Sequence, residues 1–101
     1  MTSNKTIDEL IELELFEANE IHPQFASDHE AWAVIKEELE ECEEAIKYAE
    51  HFTSYAWEKV KKNCEIDEEL KQIKMWAMNL AAEAIQVAAM CKKGMARYDQ
   101  D

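Results

Sequence analysis

Apolar residues recur along most of this chain every three to four positions, the spacing of one face of an α-helix. Ile7, Leu10, Ile11, Leu15 and Ala18 form the first such face, and Thr6 with Glu9 three residues on reads as a capping box. A helix is therefore predicted over about residues 7 to 19. Asn19 to Ala26, holding the only proline, Pro23, reads as a connection. Ser27 and Glu30 form a second capping box, after which Trp32, Ile35, Leu39, Cys42, Ile46, Ala49, Val60 and Cys64 keep one helical phase. That predicts a long helix from Asp28 to about Lys62, with the patch His51-Phe52-Thr53-Ser54 as the place for a kink or break. After a turn at Asn63 to Ile66, a third helix is predicted from Asp67 to about Ala96. Asp67, Glu68 and Glu69 suit its positive end; Lys92, Lys93 and Arg97 suit its negative end, near which Gly94 marks the stop.

One glycine and one proline leave little material for hairpin turns, so the class is all-α. With 101 residues the chain fits one domain, residues 1–101, built as a long antiparallel helical hairpin plus a short N-terminal helix. The apolar faces, including Trp57, Met75, Trp76, Met78 and Met90, exceed what such a hairpin covers, and a homodimer completing a four-helix core is expected. No apolar run reaches the roughly 20 residues of a membrane span, and Met1 to Glu9 lack the pattern of a secretory signal. Cys42, Cys64 and Cys91 show no paired spacing and read as free thiols in a reducing, cytoplasmic setting. A formal charge of −12 argues against direct nucleic-acid binding, which draws its affinity from lysine and arginine.

The chemistry is concentrated on the two long helices. From Met75 to Cys91 the only polar residues are Asn79, Glu83 and Gln86, on one narrow stripe of an otherwise apolar helix. A carboxylate on a buried helix needs a partner. Helix 2 offers Glu37, Glu38, Glu40, Glu41, Glu43 and Glu44; Glu38 and Glu41 border its apolar stripe, with Glu37 behind them, whereas Glu40, Glu43 and Glu44 read as a solvated face. A hairpin turning near residues 64 and 65 would set Glu41 level with Gln86 and Glu83 about 7 Å from that level. Glutamates so arranged can share a hard cation, Mg²⁺ or Mn²⁺, whose usual company is carboxylates, waters and substrate phosphates.

These residues resemble a known family. Glu37-Glu38-x-x-Glu41 on one helix and Glu83-x-x-Gln86 within Ala82-Glu83-Ala84-Ile85-Gln86-Val87-Ala88-Ala89 on the next are similar to the all-α nucleotide pyrophosphohydrolases of the MazG-like superfamily. The stretch Phe25 to Lys47, with its His29-Glu30-Ala31-Trp32 helix start, resembles small phage and Firmicute members, and the likeness extends over residues 25–95. It implies Glu-x-x-Glu and Glu-x-x-Asp motifs that hold Mg²⁺, and cleavage of a nucleoside triphosphate to monophosphate and pyrophosphate. On that reading Glu37, Glu38, Glu41, Glu83 and Gln86 hold metal, and Glu38 and Glu41 are catalytic. Gln86 stands where the family has aspartate. A neutral amide can ligate through its oxygen but brings no charge, so a ligand is weakened, the metal count changes, or catalysis is lost while binding persists.

Candidate substrate contacts are Trp32, which can stack on a base, Asn79 on the polar stripe, and Lys36, Lys93 and Arg97, which can meet phosphates. A core tryptophan and helix-end charges are the structural alternatives. Two rival functions stand beside hydrolysis: a catalytically weakened scaffold binding nucleotide or a partner helix, and an acidic helical mimic of nucleic acid. The mimic requires charge spread evenly with no convergent site.

Overall fold

The computed structural model describes residues 4–99 of the expected 1–101 domain; residues 1–3 and 100–101 lie outside the described residues. It contains α1 (Asn4–Ile21), α2 (Asp28–Lys61) and α3 (Asp67–Met95), with no strand among the described residues. α1 starts earlier than predicted, which places Thr6 inside the helix instead of at its cap. Ser27 caps α2 as predicted, accepting from the backbone N–H of Glu30 (3.1 Å). The Glu30 carboxylate accepts from Ala26 (3.3 Å), one residue before the cap itself.

α2 runs unbroken through His51 to Ser54. There the Thr53 hydroxyl donates to the Ala49 carbonyl (2.8 Å), so the polar patch satisfies itself within the helix. Asn63 ends the run with φ 57°, its N–H bonded to Val60 O (3.0 Å) while Cys64 N–H bonds to Lys59 O (2.9 Å). These two bonds form a Schellman motif, with asparagine tolerating the left-handed conformation. α3 ends at Met95 with Ala96 as its cap, as expected to within a residue, and a Cβ added at Gly94 would meet Ala31 Cβ at 3.6 Å.

α2 packs antiparallel on α3, and α1 lies along the C-terminal half of α3. Small buried residues line the α2–α3 seam: Ala31, Cys42, Ala45 and Ala56 on α2, Ala89 on α3. Small contact residues let helix axes approach closely. Phe25, Ala31, Ala89 and Met90 form the core where the helices meet, with Ile11, Leu15, Ala18, Val34 and Ile35 packed around it. Beyond that cluster the body is thin, 63 × 28 × 19 Å, with a radius of gyration of 17.6 Å; a compact chain of 100 residues has about 13 Å. Trp32, Trp57 and Met78 are 64%, 59% and 63% exposed. No described helix is long and apolar enough to cross a membrane.

The turn gives a direct test. Asn63→Val, forcing a β-branched residue into the left-handed region, is expected to cost about 1–2 kcal/mol or more in urea denaturation. Asn63→Gly should hold or raise stability, and equal losses in both would mean the side chain, not the backbone, matters there.

Candidate functional site

Glu38 and Glu41 lie one turn apart on the flank of α2, and Glu83 and Gln86 repeat that spacing on α3. The helices bring one oxygen from each of Glu38, Glu41 and Glu83 within 4.8 Å of one another. Glu38 and Glu83 are half-buried and Glu41 is exposed. Three pairings fix the register. The Tyr48 and Trp76 rings stack at 4.6 Å and 20°, Glu41 and Glu83 bring carboxylate oxygens within 4.8 Å, and the Gln86 amide lies 2.7 Å from Glu38 Oε2. Seven residues back along α2 match seven forward along α3, and three more match three. Gln86 therefore stands level with Glu38, not with Glu41 as the turn position predicted; the Asn63 turn and the seam packing set a register about one helical turn away.

The Gln86 amide is the detail that spacing could not supply. With its nitrogen toward the carboxylates, it donates to Glu38 Oε2 (2.7 Å) and Glu83 Oε2 (3.3 Å). The opposite orientation would set three acceptors against one another. Two N–H groups thus lie between two carboxylates.

Crowding shifts the acids. Glu41 titrates above the usual carboxyl range, chiefly because its protonated form hydrogen-bonds Glu83 and because the Glu83 charge opposes a second one. Glu83 feels that hydrogen bond most strongly, and it pulls downward; burial together with Glu38 outweighs it and leaves Glu83 raised. Glu14 of α1 adds further negative charge. Burial, then the same glutamates, push the Cys42 thiol up, so it is an inert packing residue.

An open cleft adjoins the cluster, lined by Glu41, Glu44, Ala45, Trp76, Asn79 and Glu83. Asn79 thus joins the predicted group. Glu44, read from sequence as solvated, and Trp76, read as an apolar face, line the same cleft. The signal for Glu44 was present in its three-residue spacing from Glu41; the signal for Glu14 was not, because it depends on how α1 docks. Glu37 is exposed, outside the close trio. Trp32 is exposed, not core. Lys36 pairs with Glu40 (3.8 Å) along α2. Lys93, 6% exposed, lies 4.7 Å from the Phe25 ring centre, and Arg97 pairs with Asp28 (2.6 Å). Lys93 therefore fastens the end of α3 to the α1–α2 connection, Arg97 and Tyr98 hold the chain after α3 to Asp28 at the start of α2, and the Lys92–Glu12 ion pair ties α3 to α1.

The raised acids bind protons more tightly in the folded chain than in the unfolded one, so their contribution is present at low pH and is lost as pH rises through the raised values. Glu83→Gln removes one of the opposing charges. In chelator, its melting temperature relative to the native protein is expected to rise between pH 4.5 and pH 7.5. A difference constant across that range would remove the crowding argument.

No protein family, curated protein or solved structure matches the chain.

Proposed function

We propose that this chain is a Mg²⁺-dependent nucleoside triphosphate pyrophosphohydrolase of the MazG-like type, releasing nucleoside monophosphate and pyrophosphate. The observation that carries the reading is the convergence of Glu38, Glu41 and Glu83 beside an open cleft. The donor set suits the ion. Adjacent oxygens on one octahedral Mg²⁺ stand about 3 Å apart, so donors within 4.8 Å of one another would close on the ion by shifts of up to roughly 2 Å, within the reach of side-chain rotation. Even spreading of charge, which the nucleic-acid mimic requires, is not what this clustering suggests.

In this reading Glu38, Glu41 and Glu83 supply the holding oxygens, with Glu37 behind them. Bound Mg²⁺ would polarise the phosphates and make a water acidic enough to attack. Glu41, the most exposed of the three and bordering the cleft, would be the carboxylate placed to take a proton from an attacking water, with Glu38 one turn away. Asn79 offers its amide to the substrate, and Trp76, braced by Tyr48, gives the cleft an aromatic wall suited to a base. Mn²⁺ fits the same oxygen donors. A weakened, binding-only form of this scaffold is the second reading, favoured by the Gln86 amide lying across two of the carboxylates.

The reading also makes the chain a homodimer. Trp32, Leu39, Ile46 and Val60, spaced by sevens or multiples of seven along α2, are all more than 40% exposed, and sevenfold apolar spacing is the seam of packed helix pairs. The free thiols Cys42, Cys64 and Cys91 suit a reducing compartment such as the cytoplasm.

Pyrophosphate release from a panel of nucleoside triphosphates tests the first claim. Glu38→Gln and Glu83→Gln should each lower kcat/KM about 100-fold or more, the scale on which perturbing a metal site acts. Activity untouched by Glu38→Gln would place the reaction elsewhere. Light scattering should give twice the 11.8 kDa chain mass, reduced to one chain by Leu39→Glu with Ile46→Glu; a native monomer would end the dimer claim.

A further inference from the structure

We propose that the cleft where α1, α2 and α3 meet binds a small molecule bearing one carboxylate on an apolar body, with the carboxylate held by Lys93. This site is separate from the glutamate trio and does not depend on it. Among the described residues only Glu69 and Lys93 are both charged and buried. Glu69 has the Lys59 ammonium at 2.8 Å. Lys93, 6% exposed, has no carboxylate within ion-pair distance and makes no hydrogen bond through its ammonium among those residues. What it does face is the Phe25 ring, 4.7 Å away at its centre. Lys92 and Arg97, close by in sequence, are each paired, with Glu12 and Asp28. Acids are not scarce in a chain with 23 Asp and Glu against 11 Lys and Arg. A ring face attracts the charge but takes up the three ammonium N–H donors only weakly. A charge withdrawn from water without an oxygen partner is costly.

Lys93 and Phe25 lie on the floor of a cleft of about 420 Å³, with Val34 and Met90 as apolar walls and His22 and Glu30 beside them. That volume is the size of a small-molecule site. The walls narrow the class further. One lysine offsets one negative charge, and a second would meet Glu30, whose carboxylate accepts from the Ala26 N–H (3.3 Å) at the cap of α2. A phosphate dianion is therefore disfavoured and a monocarboxylate accepted. Its apolar body covers Val34 and Met90, and a His22 ring N–H is available to the second carboxylate oxygen.

Titration of the ¹⁵N-labelled full chain with octanoate, octanamide and inorganic phosphate, followed through its amide resonances, tests the assignment. Octanoate should shift amides within residues 18–34 and 89–94, with a dissociation constant of about 1 mM or tighter. Octanamide and phosphate should bind at least about tenfold more weakly. Lys93→Met keeps an apolar stem without the charge and should bind octanoate no better than octanamide. Val34→Trp, at a half-buried position, fills the cleft with Lys93 in place and should lose octanoate binding, which keeps the test open should Lys93→Met fail to fold. The proposal is overturned if octanamide or phosphate binds the native protein as well as octanoate does. It is equally overturned if the shifts centre on the exposed Trp57 and Met78, if none appears at about 10 mM octanoate, or if either folded variant binds octanoate like the native protein.

Discussion

Glu38, Glu41 and Glu83 are held together by the packing of α2 on α3, against their own repulsion. Two unit charges about 4 Å apart cost about 1 kcal/mol in water and about 4 kcal/mol near a protein surface, so such a trio forms only where the scaffold imposes it. The scaffold does so by small means. Alanines and Cys42 along the seam allow the helices to approach, the Asn63 turn sets where α3 begins, and the Lys59–Glu69 ion pair (2.8 Å) and the Tyr48–Trp76 stack bind the hairpin between that turn and the trio. Charge crowded in this way has three forms of relief: a proton on Glu41, the amide of Gln86, or a cation. The proton comes from solvent and the amide from the chain itself; a cation is the form of relief that the proposed function assigns.

The price of the thin hairpin is exposed apolar surface. α1 covers only part of α3, and the core is confined to the end of the molecule where Phe25, Ala31, Ala89 and Met90 meet. Lys93 over Phe25, Arg97 on Asp28 and Lys92 on Glu12 gather around that end, so the basic residues stabilise the compact part of the fold while the acidic ones collect along the seam. Lys93 and Arg97, candidate phosphate contacts from sequence, both make intramolecular contacts at that end, with Phe25 and Asp28.

Much of this was legible in the sequence because helical periodicity is a local signal. The Ser27 cap, the extent of α2 and α3, and the shared stripe of Asn79, Glu83 and Gln86 all follow from residues within a few turns of one another. The alternation of Glu38 and Glu41 with apolar neighbours placed them correctly at the seam. What escaped depends on contacts between distant residues. The level of Gln86 against Glu38 follows from a positive-φ residue at the turn and from seam packing. The roles of Glu14, Lys93 and Arg97 follow from how α1 and the α1–α2 connection dock. The continuity of α2 at Thr53 turned on one hydroxyl finding a carbonyl four residues back.

The central claim, that these carboxylates receive a metal–nucleotide complex, is tested most directly by a crystal structure of the native protein with Mn²⁺ and an α,β-methylene nucleoside triphosphate. The account predicts an anomalous Mn²⁺ peak between Glu38, Glu41 and Glu83, with the triphosphate extending into the cleft of Trp76 and Asn79. Bound nucleotide with its metal elsewhere, or no metal between those three glutamates, would contradict it.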